Sequence, residues 1–128
     1  DKIPGIDWIG PSDNVELVMA GADCLVLPSY REGMPKTILE AGAMELPVIA
    51  SNVPGCQNII QNKINGILCK PKDSLDLEHA MLSIMNMTNE ERIIMGQQGR
   101  MKVKKEFDEK IVVNFATTIL HELLSVEL

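Results

Sequence analysis

The stretch Cys24-Leu25-Val26-Leu27-Pro28-Ser29-Tyr30-Arg31-Glu32-Gly33-Met34-Pro35-Lys36-Thr37-Ile38-Leu39-Glu40 decides the fold of this chain. Its first four residues are an unbroken apolar run stopped by Pro28, the pattern of a strand buried on both faces of a sheet. A polar loop follows over 29–34. Pro35 then opens a helix to about Met44, because proline at the first helical position gives up an amide that would have no partner there. Strand, loop and helix in that order are the repeating unit of a parallel α/β sheet.

The same alternation extends both ways. Upstream, 6–9 reads as a short strand ending at Gly10. Asp13 then caps a helix whose apolar stripe is Val15, Leu17, Val18 and Ala22. Downstream, 47–50 is a strand, 51–55 a loop, 57–61 a short helical turn, Asn65-Gly66 a turn, 67–69 a fourth strand and 70–73 a loop. Leu77, Ala80, Met81, Ile84 and Met85 mark an amphipathic helix with its methionines in the core. Thr88 and Glu91 make a capping box for the next helix. Asp108 caps a last one, with Ile111, Val112, Phe115, Ile119 and Leu123 on one face.

The expected fold class is therefore α/β, a Rossmann-like parallel sheet with flanking helices. Right-handed crossovers bring every strand's carboxyl end to one edge. Loops 10–13, 28–35, 51–55 and 70–73 meet there, and ligands of such sheets bind there.

A chain of 128 residues suits one compact domain. Its net charge of -6 argues against a nucleic-acid partner, which selects a basic face. Cys24, Cys56 and Cys69 are scattered and form no CxxC pair, so no metal site is expected and a reducing cytoplasm is. No signal peptide or membrane-spanning run is evident. Residues 1–5 read as the tail of a loop, so the chain is expected to be a piece of something longer. His79 and His121 are expected on solvated helix faces. The cluster Arg100, Lys102, Lys104 and Lys105 reads first as a solvated face and second as a contact with an anionic membrane.

The loop at 29–34 and the helix after it carry the chemistry. A helix start presents unpaired amides and partial positive charge, which suit a pyrophosphate. Gly33 allows close backbone approach, and Lys36 and Thr37 add a cation and a hydroxyl. Glu40 lies one turn from Lys36 on the same face, placed to accept from two vicinal hydroxyls such as those of a ribose. Glu32 would meet a second polyol. The matching ligand has sugar at both ends and phosphate between.

From Leu27 through Glu40 the sequence resembles the E-x7-E motif of the family 4 retaining glycosyltransferases, which have the two-Rossmann-domain GT-B architecture. The resemblance continues through Leu46-Pro47-Val48-Ile49-Ala50-Ser51, Val53-Pro54-Gly55-Cys56 and Asn65-Gly66-Ile67-Leu68, and weakly to Phe107. It implies that this chain is the donor-binding, C-terminal half of a GT-B fold, truncated at its N-terminus. Glu40 would bind the ribose, and the amides of Gly33 and Met34 the donor sugar. Pro35, Lys36 and Thr37 would sit at the diphosphate, and the backbone of Ile9 and Gly10 at the base. Glu32 is the catalytic candidate, a group near the anomeric carbon rather than a nucleophile. No metal and no cofactor are implied beyond the nucleotide-sugar donor, expected as a UDP-hexose or UDP-N-acetylhexosamine. The Val53-Pro54-Gly55-Cys56 stretch resembles bacterial enzymes of polysaccharide biosynthesis, whose acceptors are glycans or lipid-linked sugars at the inner face of the membrane.

Several departures from the family accompany the resemblance. Glu45 stands where the family has Gly, and Gly42 where it has Met. Against the family pattern, the acceptor domain and the first two βα units of this domain are expected to lie outside this stretch of sequence. Those two strands belong between 6–9 and 24–27, so a long apolar edge is expected there, open to a homodimer or a rebuilt sheet. The isolated chain is expected to be inactive. The alternatives are a non-catalytic nucleotide-binding or interaction module, or another GT-B enzyme such as a sugar-nucleotide epimerase or a phosphorylase. A phosphorylase needs a pyridoxal-binding lysine, and none is evident.

Overall fold

A computed structural model describes residues 3–28 and 35–107 of the chain. Among them, β1 (Leu25–Leu27), β2 (Val48–Ser51) and β3 (Gly66–Cys69) form one parallel sheet in the order β1-β2-β3. Leu25 is level with Val48, and Val48 with Gly66. The helices are α1 (Val15–Ala20), α2 (Lys36–Ala43), α3 (Pro54–Gln57), α4 (Ser74–Met85) and α5 (Asn89–Glu106).

Two apolar clusters sandwich the sheet, and the period of two in β2 divides its residues between them. Val48 and Ala50 join Ile38, Leu39, Cys56, Ile59 and Val103 on the α2 and α5 side. Ile49 joins Cys69, Ala80, Ile84 and Met95 on the α4 side. Ile38 and Ile49 are each 1% exposed, burial worth about 2–3 kcal/mol apiece. β2 is fully buried because it is the central strand. β1 is only half-buried, not enclosed on both faces as its apolar run predicts, because its outer side has no described neighbour.

The segment 6–9 is not a strand. Ile6, Trp8 and Ile9 are 62%, 92% and 65% exposed in irregular chain. Strand propensity needs a ladder and a face to pack on, and this segment has neither. The open edge of β1 is three residues long, shorter than expected. The N-cap of α1 is Asn14 rather than Asp13, and it makes no side-chain cap. Its own amide donates instead to the Ser12 hydroxyl. Met19 holds α1 to the core with half-buried Val15, while Leu17, Val18 and Ala22 are exposed. A helix of six residues offers one narrow contact line, too little to bury a full stripe.

Downstream the elements shift by small amounts. Pro35 is the N-cap of α2 rather than its first helical residue, with ψ 97 in the extended region. The turn expected at 57–61 begins earlier, as α3, with Pro54 at its first position. Asn65 is 3% exposed and holds its turn from inside. Its side-chain oxygen accepts from the Gln61 amide at 2.6 Å, and its amide nitrogen donates to the Ile59 carbonyl at 2.9 Å. The Thr88–Glu91 capping box forms in both directions. Met81 and Met85 are 43% and 69% exposed rather than core, because α4 buries only a narrow line through Ala80 and Ile84. His79 is exposed, as its solvated position predicts. His121 and the helix capped by Asp108 lie outside the described residues.

The two departures from the family pattern acquire a common cause. Glu45 takes φ 58, the left-handed conformation that costs a side chain strain. It ends α2 in a Schellman turn, its amide donating to Gly42 and that of Leu46 to Ala41 at 2.9 Å. Gly42 does not leave a hole. A Cβ there would meet Val103 Cγ2 at 2.6 Å and the Gly99 carbonyl oxygen at 3.2 Å. A Cβ on Gly96 would overlap the Glu45 carbonyl, its carbon at 2.6 Å. Glycines on both helices thus let α5 lie against α2 nearly backbone to backbone.

Candidate functional site

The carboxyl ends of all three strands meet at a cleft of about 360 Å³. Pro28 closes β1, Ser51 ends β2, Cys69 ends β3, and Lys70 and Lys72 lead to Asp73 at the start of α4. Three of the four loops expected at this edge are therefore there, as parallel strands with helical crossovers require.

α2 starts at the same edge, since it follows β1. Its first turn has no side-chain cap, unlike α4, whose Asp73 accepts from the Asp76 amide at 3.0 Å, and α5 with its capping box. Among the described residues no side chain caps the amides at the start of α2. Pro35 is buried there, Lys36 is exposed, and Thr37 and Glu40 are half-buried. Lys36 and Glu40 share one helix face. Burial raises the Glu40 carboxyl above the ordinary carboxylate range, the Lys36 ammonium opposes the shift, and the Glu16 carboxylate adds to it. The site thus concentrates one cation, one hydroxyl, uncapped amides and a carboxylate within two helical turns. That set suits a phosphate joined to a polyol.

The structure brings Pro35, Lys36, Thr37 and Glu40 together. Ile9 is exposed and Gly10 half-buried in the irregular chain before α1, with Gly10 at φ 69. Glu32, Gly33 and Met34 lie outside the described residues. One residue escaped the sequence reading. Glu16, on the α1 face that carries Met19, reaches the field of Glu40 only because Met19 packs α1 on the core cluster that α2 shares. Ser51, expected as the first residue of the loop 51–55 at this edge, closes β2 instead and, 1% exposed, lines the cleft. No local signal existed for Glu16. Burial pushes the Cys24 thiol up to about 11, with the Ile49 backbone opposing and Asp23 adding, which disfavours the thiolate.

A parallel α/β sheet with flanking helices defines a Rossmann-like domain, and its architecture matches that of GT-B glycosyltransferases. HepE of Anabaena, solved with UDP and glucose, superposes with a TM-score of 0.71 over 89% of this chain and 30% of its own, at 22% identity. Residues 3–102 match the family described as glycosyl transferases group 1, and the chain belongs to that family. It is 33% identical over 72 residues to the N,N'-diacetylbacillosaminyl-diphospho-undecaprenol alpha-1,3-N-acetylgalactosaminyltransferase of Campylobacter jejuni, covering 56% of this chain and 19% of the relative. It is 30% identical over 101 residues to the UDP-Gal:alpha-D-GlcNAc-diphosphoundecaprenol alpha-1,3-galactosyltransferase of Escherichia coli, covering 78% and 25%. The chain therefore spans about a fifth to a quarter of these relatives. Among the described residues no helix is long and apolar enough to cross a membrane.

Proposed function

We propose that the chain binds the nucleotide-sugar donor of a retaining glycosyltransferase, a UDP-hexose or UDP-N-acetylhexosamine. One observation carries this above the others. The uncapped start of α2 sits at the carboxyl edge of a parallel sheet with Lys36 and Glu40 on one face. Glu40 accepts hydrogen bonds from the two ribose hydroxyls. Lys36, Thr37 and the amides after Pro35 receive the diphosphate, whose negative charge grows as its bond to the sugar's anomeric carbon breaks. The acceptor oxygen then bonds to that carbon on the face the diphosphate leaves. Gly33 and Met34 hold the sugar hydroxyls, Glu32 stands near the anomeric carbon, and the backbone of Ile9 and Gly10 takes the base. Protein groups at the diphosphate do the work a metal would do, and no cofactor is required. The UDP in the HepE crystals and the UDP-Gal in the name of the Escherichia coli relative support this donor class.

The acceptor in this proposal is a glycan or lipid-linked sugar of bacterial polysaccharide biosynthesis, presented at the cytoplasmic face of the membrane. The diphosphoundecaprenol acceptors in the names of both relatives support that choice. Two further βα units pair with the outer edge of β1, and a separate domain holds the acceptor. Without those units the β1 edge pairs with a second copy, and the chain alone transfers nothing.

Calorimetric titration with UDP and UDP-sugars tests the donor assignment. Binding is expected, and Glu40→Ala should weaken it at least about tenfold to a hundredfold, the worth of one charge-assisted bond to a hydroxyl. Unchanged affinity in Glu40→Ala, or no binding by the intact protein, favours a non-catalytic module of the same fold.

A further inference from the structure

The donor reading uses the start of α2 and leaves the cleft of about 360 Å³ at the same edge without an occupant. Strand period separates the two. In β2, Val48 and Ala50 face the α2 side, so Ile49 and Ser51 face the other side, where α4 packs. Ser51 and Leu77 of α4 both line the cleft, which therefore lies on the α4 side of the sheet. The start of α2 and the cleft share the carboxyl edge but stand on opposite faces.

Ser51 is 1% exposed, and no described residue pairs with its hydroxyl. Every sealed side-chain oxygen or nitrogen among the described residues has a partner. The Ser51 oxygen is therefore not sealed, and it reaches the surface through the cleft it lines. A buried hydroxyl without a protein partner is costly, and a ligand that pairs with it removes that cost. Charge sets the sign of the ligand. Lys70 and Lys72 line the cleft against one acid, Asp73, whose carboxylate already accepts from the Asp76 amide at 3.0 Å. In a chain of net charge -6 that is a local excess of positive charge. The loop carrying the lysines is fixed in place. Asp76 accepts from the Lys70 amide at 2.6 Å, and Lys72 holds φ 59, a left-handed backbone that glycine takes with less strain. The volume suits a small organic ligand rather than a lone ion. Pro28 and Leu77 give the cleft an apolar wall, and Ser74 adds a second hydroxyl.

We propose that this cleft is a second subsite that binds a sugar phosphate, with the phosphate at Lys70 and Lys72, a sugar hydroxyl on Ser51 and the ring carbons against Pro28 and Leu77. Phosphate oxygens accept from ammonium groups in short, charge-assisted bonds, and the apolar wall takes the carbon face of the ring. This deepens the proposed function and rests on it. A transferase needs room for a second substrate beside the donor. A sugar of the acceptor joined to phosphate and a free sugar phosphate present the same group to the cleft.

Calorimetric titration of the full chain with N-acetylglucosamine 1-phosphate, alone and with saturating UDP, tests the proposal. Binding is expected, and UDP should not change it, because the two sites lie on opposite faces. Each charge-assisted bond is worth about tenfold, so Lys70→Gln with Lys72→Gly should weaken binding about a hundredfold. Ser51→Ala should weaken it about tenfold without lowering the thermal midpoint, because the hydroxyl removed has no protein partner. UDP affinity should not change in either variant. No binding by the unmodified chain, displacement by UDP, or equally tight binding of inorganic phosphate overturns the proposal. So does unchanged affinity in Ser51→Ala, or a fall in its thermal midpoint, which marks a structural hydroxyl. If the double variant does not fold, Ser51→Ala decides alone. A short-chain prenyl-diphosphate sugar that displaces N-acetylglucosamine 1-phosphate identifies the acceptor as the source of the group, and one that does not identifies a free sugar phosphate. Sugar-phosphate binding without UDP binding removes the donor assignment alone, and the converse removes this proposal alone.

Discussion

Gly96→Ala should be among the most damaging conservative changes in this chain, although helix propensity by itself predicts a gain. An added Cβ would sit 2.6 Å from the Glu45 carbonyl carbon, with the oxygen of that carbonyl closer still. An ordinary carbon contact is about 3.5 Å, so α5 and the end of α2 must separate by about 1 Å. Both partners are backbone, and neither can turn aside. Overpacking of this kind costs about 3 kcal/mol, and alanine in a helix interior returns about 1 kcal/mol. The net loss of about 2 kcal/mol should lower the thermal midpoint by about 6–10 °C for a chain of this size. Gly42→Ala is the comparison. Its Cβ meets a side-chain methyl, Val103 Cγ2, at 2.6 Å and the Gly99 carbonyl oxygen only at 3.2 Å, so its loss should be smaller, and Val103→Ala should relieve most of it. Calorimetric melting of the three variants checks the ranking. A Gly96→Ala protein as stable as the parent would show that α5 is not clasped against Glu45.

Three further outcomes follow from single residues. Glu45→Gly should stabilise the chain by about 1 kcal/mol by relieving the left-handed turn at φ 58, read by denaturant unfolding. A loss of stability would mean that the Glu45 side chain has a partner worth more than the strain. Asn65→Ala removes the partner of the Gln61 amide and of the Ile59 carbonyl and should cost about 2–3 kcal/mol, with amide exchange rising first at Gln61. Normal protection there would sink the assignment. Because the folded state raises the Glu40 carboxyl pKa, its contribution to stability is full below the ordinary value of 4.5 and is lost as pH rises through the folded value. Glu40→Gln should therefore gain stability over the parent as pH rises above 4.5 and lose that advantage in acid, while UDP binding is weakened. A variant less stable than the parent at neutral pH contradicts this.

The sequence by itself determined the alternation of elements, the parallel sheet and the edge at which its loops gather. Short apolar runs punctuated by proline and glycine, a capping box and a proline before α2 are local signals, and local backbone chemistry answers them. It also exposed the strain at Glu45, because a side chain stood where a left-handed turn was due. Tertiary structure decided what depends on neighbours. Residues 6–9 have the composition of a strand but no described strand beside them, so they stay irregular and exposed. Met81 and Met85 have the period of a core face, yet α4 touches the sheet along a line too narrow to cover them. Gly42 looked like a missing side chain and is a point where two backbones approach, a distance no one-dimensional pattern encodes. The same holds at the site. Lys36 and Glu40 share a face by helical period alone, whereas Glu16 joins them only because Met19 docks α1 on the core. Periodicity fixes what lies within one element, and packing fixes which elements meet.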